Sequence, residues 1–260
     1  MLLAIDVGNT NIVLGVFDGD RLLHSWRLAT MRERTADEIG LLIDGLFTHA
    51  KLDKSVIHHI VLSSVVPPLT GTIEAMAERY FTLKTTTVDP AATTVMPILY
   101  ENPWEIGADR IVNAVAAYER FGRTAKRALV IVDFGTATTF DGVTAKGEYL
   151  GGAICPGVQI SADALFQRAA RLPRVDVRKP AHIVGRTTVE AMQSGLFWGY
   201  VGMVEGLVRR MTAELGGDAV CVATGGFANT IAPETPLIHH VDLDLTLHGL
   251  RLVFERSGGR

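Results

Sequence analysis

The sequence predicts a two-part α/β protein, and three observations carry that prediction. Ile5-Asp6-Val7-Gly8-Asn9-Thr10-Asn11 and Val132-Asp133-Phe134-Gly135-Thr136-Ala137-Thr138 read as two copies of one device: an apolar run, then Asp-x-Gly, then small hydroxyl or amide residues. The likeness continues downstream, where Gly15-Val16 corresponds to Gly142-Val143. Around each copy, short apolar runs alternate with helical patterns, the order of an α/β unit. At 260 residues, 48% hydrophobic and 20% charged, the chain has apolar surface for two cores and reads as folded throughout.

In the first half, Leu2 to Val7 and Ile12 to Phe17 are apolar strands. Asp18-Gly19-Asp20 supplies hairpin chemistry before a third, alternating strand from Arg21 to Leu28. Thr35 followed by Glu38 forms a capping box, and Ile39, Leu42, Ile43, Leu46 and Phe47 then fall on one helical face. His59 to Ser63 reads as a buried strand, Pro67-Pro68 opens a helix to about Phe81, and Thr85 to Val88 closes the half.

Residues 90–108, with Pro90, Pro97, Pro103 and Gly107, form an irregular connection placed to lend side chains to a site. A helix follows from Asp109 to Phe121, then strands at Leu129 to Val132, Phe140 to Val143 and Glu148 to Ala153, with Lys146-Gly147 in the hairpin turn. Helices at 157–170 and 187–215 precede a strand, Ala219 to Ala223, that ends in Thr224-Gly225-Gly226. A strand and a helix between 237 and 256 finish the chain.

A net charge of −3, from 25 basic and 28 acidic residues, argues against nucleic acid as a partner, because phosphate contacts need a basic face. Cys155 and Cys221 lie outside any Cys-x-x-Cys spacing, so neither a zinc site nor a disulfide framework is expected. Asp6 interrupts the first apolar run, and no stretch approaches the roughly 20 apolar residues of a bilayer span. These features predict a cytoplasmic protein with no membrane partner.

A strand that delivers a carboxylate and then turns through Gly and Thr suits a metal-bound phosphate: Gly brings the backbone close, its N–H groups turn toward the anion, and hydroxyls add donors. Two such turns facing each other make a nucleotide cleft. The paired Asp-Thr-Gly of aspartic proteases does not apply, because Val7 and Phe134 occupy the hydroxyl slot. Neither a Gly-x-x-x-x-Gly-Lys-Ser/Thr loop nor a Gly-x-Gly-x-x-Gly turn is present. Thr224-Gly225-Gly226 sits where a Gly-Gly turn lets an adenosine lie against the backbone. Gly107-Ala108-Asp109-Arg110 opens a helix: Asp109 is either a simple cap or a carboxylate placed to accept a hydroxyl proton beside an anion-holding guanidinium. Tyr100 and Trp104 are candidates for walling the same pocket. The eight histidines form no metal or catalytic pattern, and the stripe Met192, Leu196, Tyr200, Met203 and Leu207 reads as packing, with a dimer face as its alternative.

The segments DVGNTN, GADRIVNAVAA, DFGTATTFD, GGAICPG and TVEAMQSGLFWG resemble the type III pantothenate kinases, within the superfamily of sugar kinases, actin and heat-shock chaperone ATPases. The matching segments run from residue 6 to about 226. The resemblance implies an α/β fold of two ribonuclease H-like domains, 1–108 and 109–260, with a nucleotide cleft between them, in a homodimer. It implies ATP-dependent phosphorylation of pantothenate to 4′-phosphopantothenate, towards coenzyme A, with Mg2+ and a monovalent cation, K+ or NH4+.

Carried across by motif, Asp6 is similar to the acid that holds magnesium through water, and Asp133 matches the monovalent-cation ligand. ATP contacts fall to Asp6, Val7, Gly8, Asn9, Thr10, Asn11, Ile12, Val13, Thr136 and Gly225. Asp109 occupies the general-base position. Tyr100, Gly107, Ala108, Asp109, Arg110 and Thr188 match pantothenate contacts, with Thr188 reaching across the dimer. Two alternatives stand beside this reading: a regulatory binding protein on a kinase fold, and a kinase for another acyl-amide or polyol.

Overall fold

The computed structural model describes residues 1–92 and 94–259. In chain order the elements are β1 (Leu2–Val7), β2 (Asn11–Asp18), β3 (Arg21–Ala29), α1 (Ala36–His49), β4 (His59–Ser64), α2 (Pro67–Phe81), β5 (Thr85–Thr87) and α3 (Ala108–Ala117). They continue as β6 (Ala128–Phe134), β7 (Ala137–Val143), β8 (Tyr149–Pro156), α4 (Val158–Arg168), α5 (Thr188–Glu214), β9 (Ala219–Gly225), α6 (Ala228–Ile231), β10 (His240–Val241) and α7 (Leu245–Arg256).

The chain divides into two compact units. Unit 1 comprises Met1–Pro97, Glu101–Ala116 and the segment from Leu245 onward; unit 2 comprises Ile98–Tyr100 and Ala117–Asp244. This differs from a division at 108/109 in two places. Nearly all of α3 belongs to unit 1, and so does α7, whose buried Leu245, Leu247, Leu250 and Val253 belong to a helix packed on β1, β2 and β4.

Each unit is built on a five-stranded sheet, ordered β3-β2-β1-β4-β5 in unit 1 and β10-β9-β6-β7-β8 in unit 2. Read from the other edge, the second order is that of the first, with β6 standing for β1 and β9 for β4. The pairings agree as well: β1–β2 and β6–β7 are antiparallel, β1–β4 and β6–β9 parallel. This is the ribonuclease H-like arrangement, present twice. The central strands are near-continuous apolar runs because both of their faces are covered, whereas β5 and β10 are short edges.

The register corrects one sequence equivalence. Asp6 lies opposite Val13, but Asp133 lies opposite Thr139, so the second hairpin turns one residue sooner. Gly142 opposite Val130 therefore takes the place of Val16 opposite Leu3, and Gly15 has Asp141 as its counterpart. A one-residue offset exchanges the faces of the strand, so the matching Gly-Val pairs are not structural equivalents.

The capping box forms as expected: Glu38 N–H donates to Thr35 Oγ1, and Thr35 N–H donates to the Glu38 carboxylate. Ile39, Ile43 and Phe47 enter the core of unit 1 and Leu46 packs against it, but Leu42 is exposed. The helix expected through Phe121 ends at Ala117 and widens into a π turn, Tyr118–Gly122, closed by Arg123 N–H to the Tyr118 carbonyl at 2.7 Å. This turn lays Tyr118 against Gly147, and its hydroxyl donates to the Ala145 carbonyl at 3.3 Å.

On α5, Met192, Leu196 and Tyr200 are buried within the protomer, and Met203 and Leu207 pack on the core of unit 2. The stripe is core, not a dimer face. The outer side of the helix instead carries Gly195, Gly199 and Gly202, with open space where a Cβ would stand. Cys155 and Cys221 are free thiols, and burial pushes Cys221 up to about 12. No helix among the described residues is long and apolar enough to cross a membrane.

Candidate active site

β1 delivers Asp6 on the face opposite Ile5 and Val7, both of which enter the core. The turn that follows is closed by Gly8 N–H to the Asn11 carbonyl at 3.0 Å. That amide is used within the turn, contrary to the expectation that it faces an anion. Asn9 and Thr10 are exposed at the tip. Two contacts that the sequence did not suggest brace the turn: Thr30 Oγ1 donates to the Gly8 carbonyl at 2.7 Å, and Arg32 donates to Asn9 Oδ1 at 3.2 Å. Asn11 and Val13 are half-buried. Val7 and Ile12 are core residues, which leaves only their backbone for any ligand contact.

In unit 2, β6 delivers Asp133 in the same way, and β9 sets Gly225 opposite Phe134, with its Cα close to the Asp133 carboxylate. Gly225 has φ +88°, and a Cβ there would stand 2.6 Å from Asp133 Oδ1 and 2.7 Å from the Phe134 backbone. Only glycine suits that backbone and leaves the Asp133 carboxylate its place. Gly135 is exposed, Thr136 half-buried, and Gly157 donates to the Thr136 carbonyl at 3.1 Å. A Cβ on Gly157 would overlap that carbonyl. Gly157 was visible in GGAICPG, but nothing local in the sequence announced its bracing role.

Asp109 lies in the first turn of α3, in unit 1. Its Oδ1 accepts from the Arg110 N–H at 2.8 Å. Burial raises its pKa from the ordinary value of 3.8, opposed by that N–H and by the Arg110 guanidinium. Gly107 makes room for this carboxylate, since a Cβ there would come within 2.5 Å of Asp109 Oδ1. Ala108 and Arg110 are buried. The helix is held in place through Asn113, whose Oδ1 accepts from Thr246 on α7 at 2.7 Å.

Tyr100 belongs to unit 2, its ring lying over Gly151 and 6.5 Å from that of Tyr149. Tyr149 is fully buried and donates to Asp141 at 2.7 Å. Trp104, in unit 1, is 77% exposed. Thr188 is exposed as the first residue of α5, whose N-cap is Thr187.

Among the described residues no three His, Cys, Asp or Glu side chains cluster as a metal cage. A carboxylate at the end of a strand, beside a turn, suits Mg2+ arriving with a nucleotide, because that ion keeps several waters and takes phosphate oxygens as ligands. The hydroxyl of Ser63, buried beside Asp6 and without a hydrogen-bond partner among the described residues, adds a polar group fit for such a water shell. Asp133 is a hard oxygen donor, the ligand type that an alkali cation takes.

Two sheets of one topology, each ending its central strand in an Asp-x-Gly turn, define the class: the actin-like ATPase and sugar-kinase fold. The chain is similar to an inorganic polyphosphate/ATP-glucomannokinase from Arthrobacter sp. strain KM, with TM-score 0.51, 15% identity, and 100% and 99% of the two chains covered. It is also similar to a conserved protein from Campylobacter jejuni described as a candidate Baf family transcriptional activator, with TM-score 0.60, 17% identity, and 99% and 100% covered. At these identities the likeness is one of fold.

The profile of the type III pantothenate kinase family matches residues 2–210. The type III pantothenate kinase of Myxococcus xanthus is 57% identical over 257 residues, covering 99% of both chains. That of Geobacter sulfurreducens is 54% identical over 257 residues, again covering 99% of both. The chain belongs to the type III pantothenate kinase family, and it is an enzyme.

Proposed function

We propose that this protein transfers the γ-phosphoryl group of ATP to the primary hydroxyl of pantothenate, giving 4′-phosphopantothenate and ADP on the route to coenzyme A. The observation that carries the mechanism is Asp109: a buried carboxylate with a raised pKa, seated against a glycine at the start of α3, next to a buried arginine. Phosphoryl transfer depends mainly on positioning and charge neutralisation. Asp109 accepts the hydroxyl proton as the new O–P bond forms, and it aligns that oxygen with the γ-phosphorus. Arg110 holds the carboxylate of pantothenate, and Tyr100, Gly107, Ala108 and Thr188 complete its contacts.

ATP engages the turn from Asp6 to Val13 and, in the second unit, Thr136 and Gly225. Mg2+ bound with ATP neutralises phosphate charge, with Asp6 holding its water shell. Asp133 holds a monovalent cation, K+ or NH4+. We place the enzyme in the cytoplasm, with no nucleic-acid or membrane partner.

The homodimer is part of the proposal. Ile154 on β8, Ile160, Leu165 and Phe166 on α4, and Ile183, Val184 and Val189 around the start of α5 are exposed apolar side chains. A second copy would cover them, and Thr188 lies among them in sequence. The first turn belongs to unit 1, together with Asp109, and the second turn to unit 2.

Mass spectrometry of pantothenate after incubation with ATP and the purified protein tests the reaction. Phosphopantothenate with the wild type and none with Asp109→Asn is expected; equal product from both would remove Asp109 as the base.

A further inference from the structure

β1 and β4 run parallel, and their ladder sets Ser63 directly beside Asp6. Along β4, Ile60 and Leu62 enter the apolar core, so Ser63 stands on the opposite face, the one that carries Asp6. Ser63 is 0% exposed, and its Oγ has no hydrogen-bond partner among the described residues. A buried hydroxyl left unpaired opposes folding, so its retention calls for a reason. The next residue shows the contrast: Ser64 Oγ accepts from Thr70 at 2.9 Å and donates to the Val66 carbonyl at 3.3 Å. Ser64 serves the turn into α2, whereas the Ser63 hydroxyl makes no hydrogen bond among the described residues. Unit 2 repeats the arrangement, with Thr224, 2% exposed, directly beside Asp133 in the β6–β9 ladder.

We infer that Ser63 is a positioning residue for the metal end of the first turn. Its hydroxyl hydrogen-bonds the water that the Asp6 carboxylate shares with Mg2+ when the nucleotide binds. This rests on the reading of Asp6 as the carboxylate facing Mg2+. A carboxylate that acts through water needs a further group to fix that water, and loss of such outer partners typically costs 10–100-fold in metal affinity. A serine hydroxyl can donate to a carboxylate and accept from a water at once.

The test is a titration of Mn2+, a paramagnetic stand-in for Mg2+, into the whole protein with a non-hydrolysable ATP analogue, free Mn2+ being read by EPR. Affinity for the analogue without metal and the melting temperature are measured alongside. Ser63→Ala should weaken Mn2+ binding about tenfold, leave metal-free nucleotide affinity unchanged, and keep or raise the melting temperature. Ser63→Thr, which puts at this position the residue found at 224, should restore Mn2+ binding.

Wild-type Mn2+ affinity in Ser63→Ala, with Asp6→Asn impaired, would overturn the role of Ser63 alone. Wild-type affinity in both variants would remove the Asp6 reading and this inference with it. Equal loss of metal and nucleotide binding in Ser63→Ala would also overturn it, by making Ser63 a packing residue.

Discussion

Replacing Gly107 by alanine tests how Asp109 is held. An alanine Cβ would stand 2.5 Å from Asp109 Oδ1, about 0.9 Å short of the 3.4 Å at which ordinary contact begins. Val65 Cγ1 and Asp109 Cγ stand in ordinary contact with its position, at 3.5 Å, so the single close approach is to that oxygen. The carboxylate must swing aside and loosen its 2.8 Å bond from the Arg110 N–H. Displacing a reacting group by roughly 1 Å costs on the order of 10²-fold, about 2.7 kcal/mol of transition-state stabilisation. Steady-state ADP release should therefore show kcat for Gly107→Ala down by about 10²-fold. ATP affinity, read by calorimetry without pantothenate, should stay at its wild-type value. A kcat within a few-fold of wild type would refute the steric argument and the placement of Asp109 at the reacting hydroxyl.

Asp109→Asn should lose about 10²–10⁴-fold in turnover while still binding ATP. The folded pKa of Asp109 is raised, so its stabilising contribution is present below its unfolded pKa and lost as pH rises through the folded value. Asp109→Asn should consequently melt higher than wild type at pH 7; a lower melting temperature would contradict the burial cost. The same shift places the acid limb of kcat/KM above the ordinary value of 3.8, which a pH–rate profile checks. Asp133→Ala should lose activation by potassium along with activity, and an unchanged ratio of rates in potassium and sodium would sink that assignment. Gly45→Ala, inside α1 with open space around the new Cβ, should add about 1 kcal/mol of stability in urea unfolding. Its kcat should not change. Thr35→Ala removes the capping box and should cost about 1 kcal/mol in the same assay.

What was legible in the sequence was local. Asp-x-Gly after an apolar run announces a strand and its turn, and Thr35 with Glu38 announces a helix start, because the interacting groups are a few residues apart. What escaped depends on distant chain. The period of α7 predicts a helix with one apolar face, but nothing in it says which sheet that face covers, and α7 returns to unit 1. The period along Met192, Leu196 and Tyr200 likewise marks a buried face without saying whether the protomer or a second copy buries it. Gly15 and Gly142 match in sequence and not in register, because a loop one residue shorter is invisible until the ladder pairs.

The candidate site divides the same way. Asp6, Asp133 and Asp109 were legible as chemistry placed at turns and a helix start. Thr30 and Gly157 were not, since each braces a turn contributed by another part of the chain, and Ser63 comes beside Asp6 only when β4 pairs with β1. The Gly8 amide was misassigned for a related reason: the turn closes on itself through Asn11, and residue type alone does not show how an amide is used.

The most direct test of the proposed activity is ADP release by the purified protein with ATP and magnesium, with and without pantothenate, in potassium and then in sodium buffer. Release that requires both pantothenate and potassium is expected. Release at one rate whether or not pantothenate is present, or none in either buffer from folded protein, would contradict it.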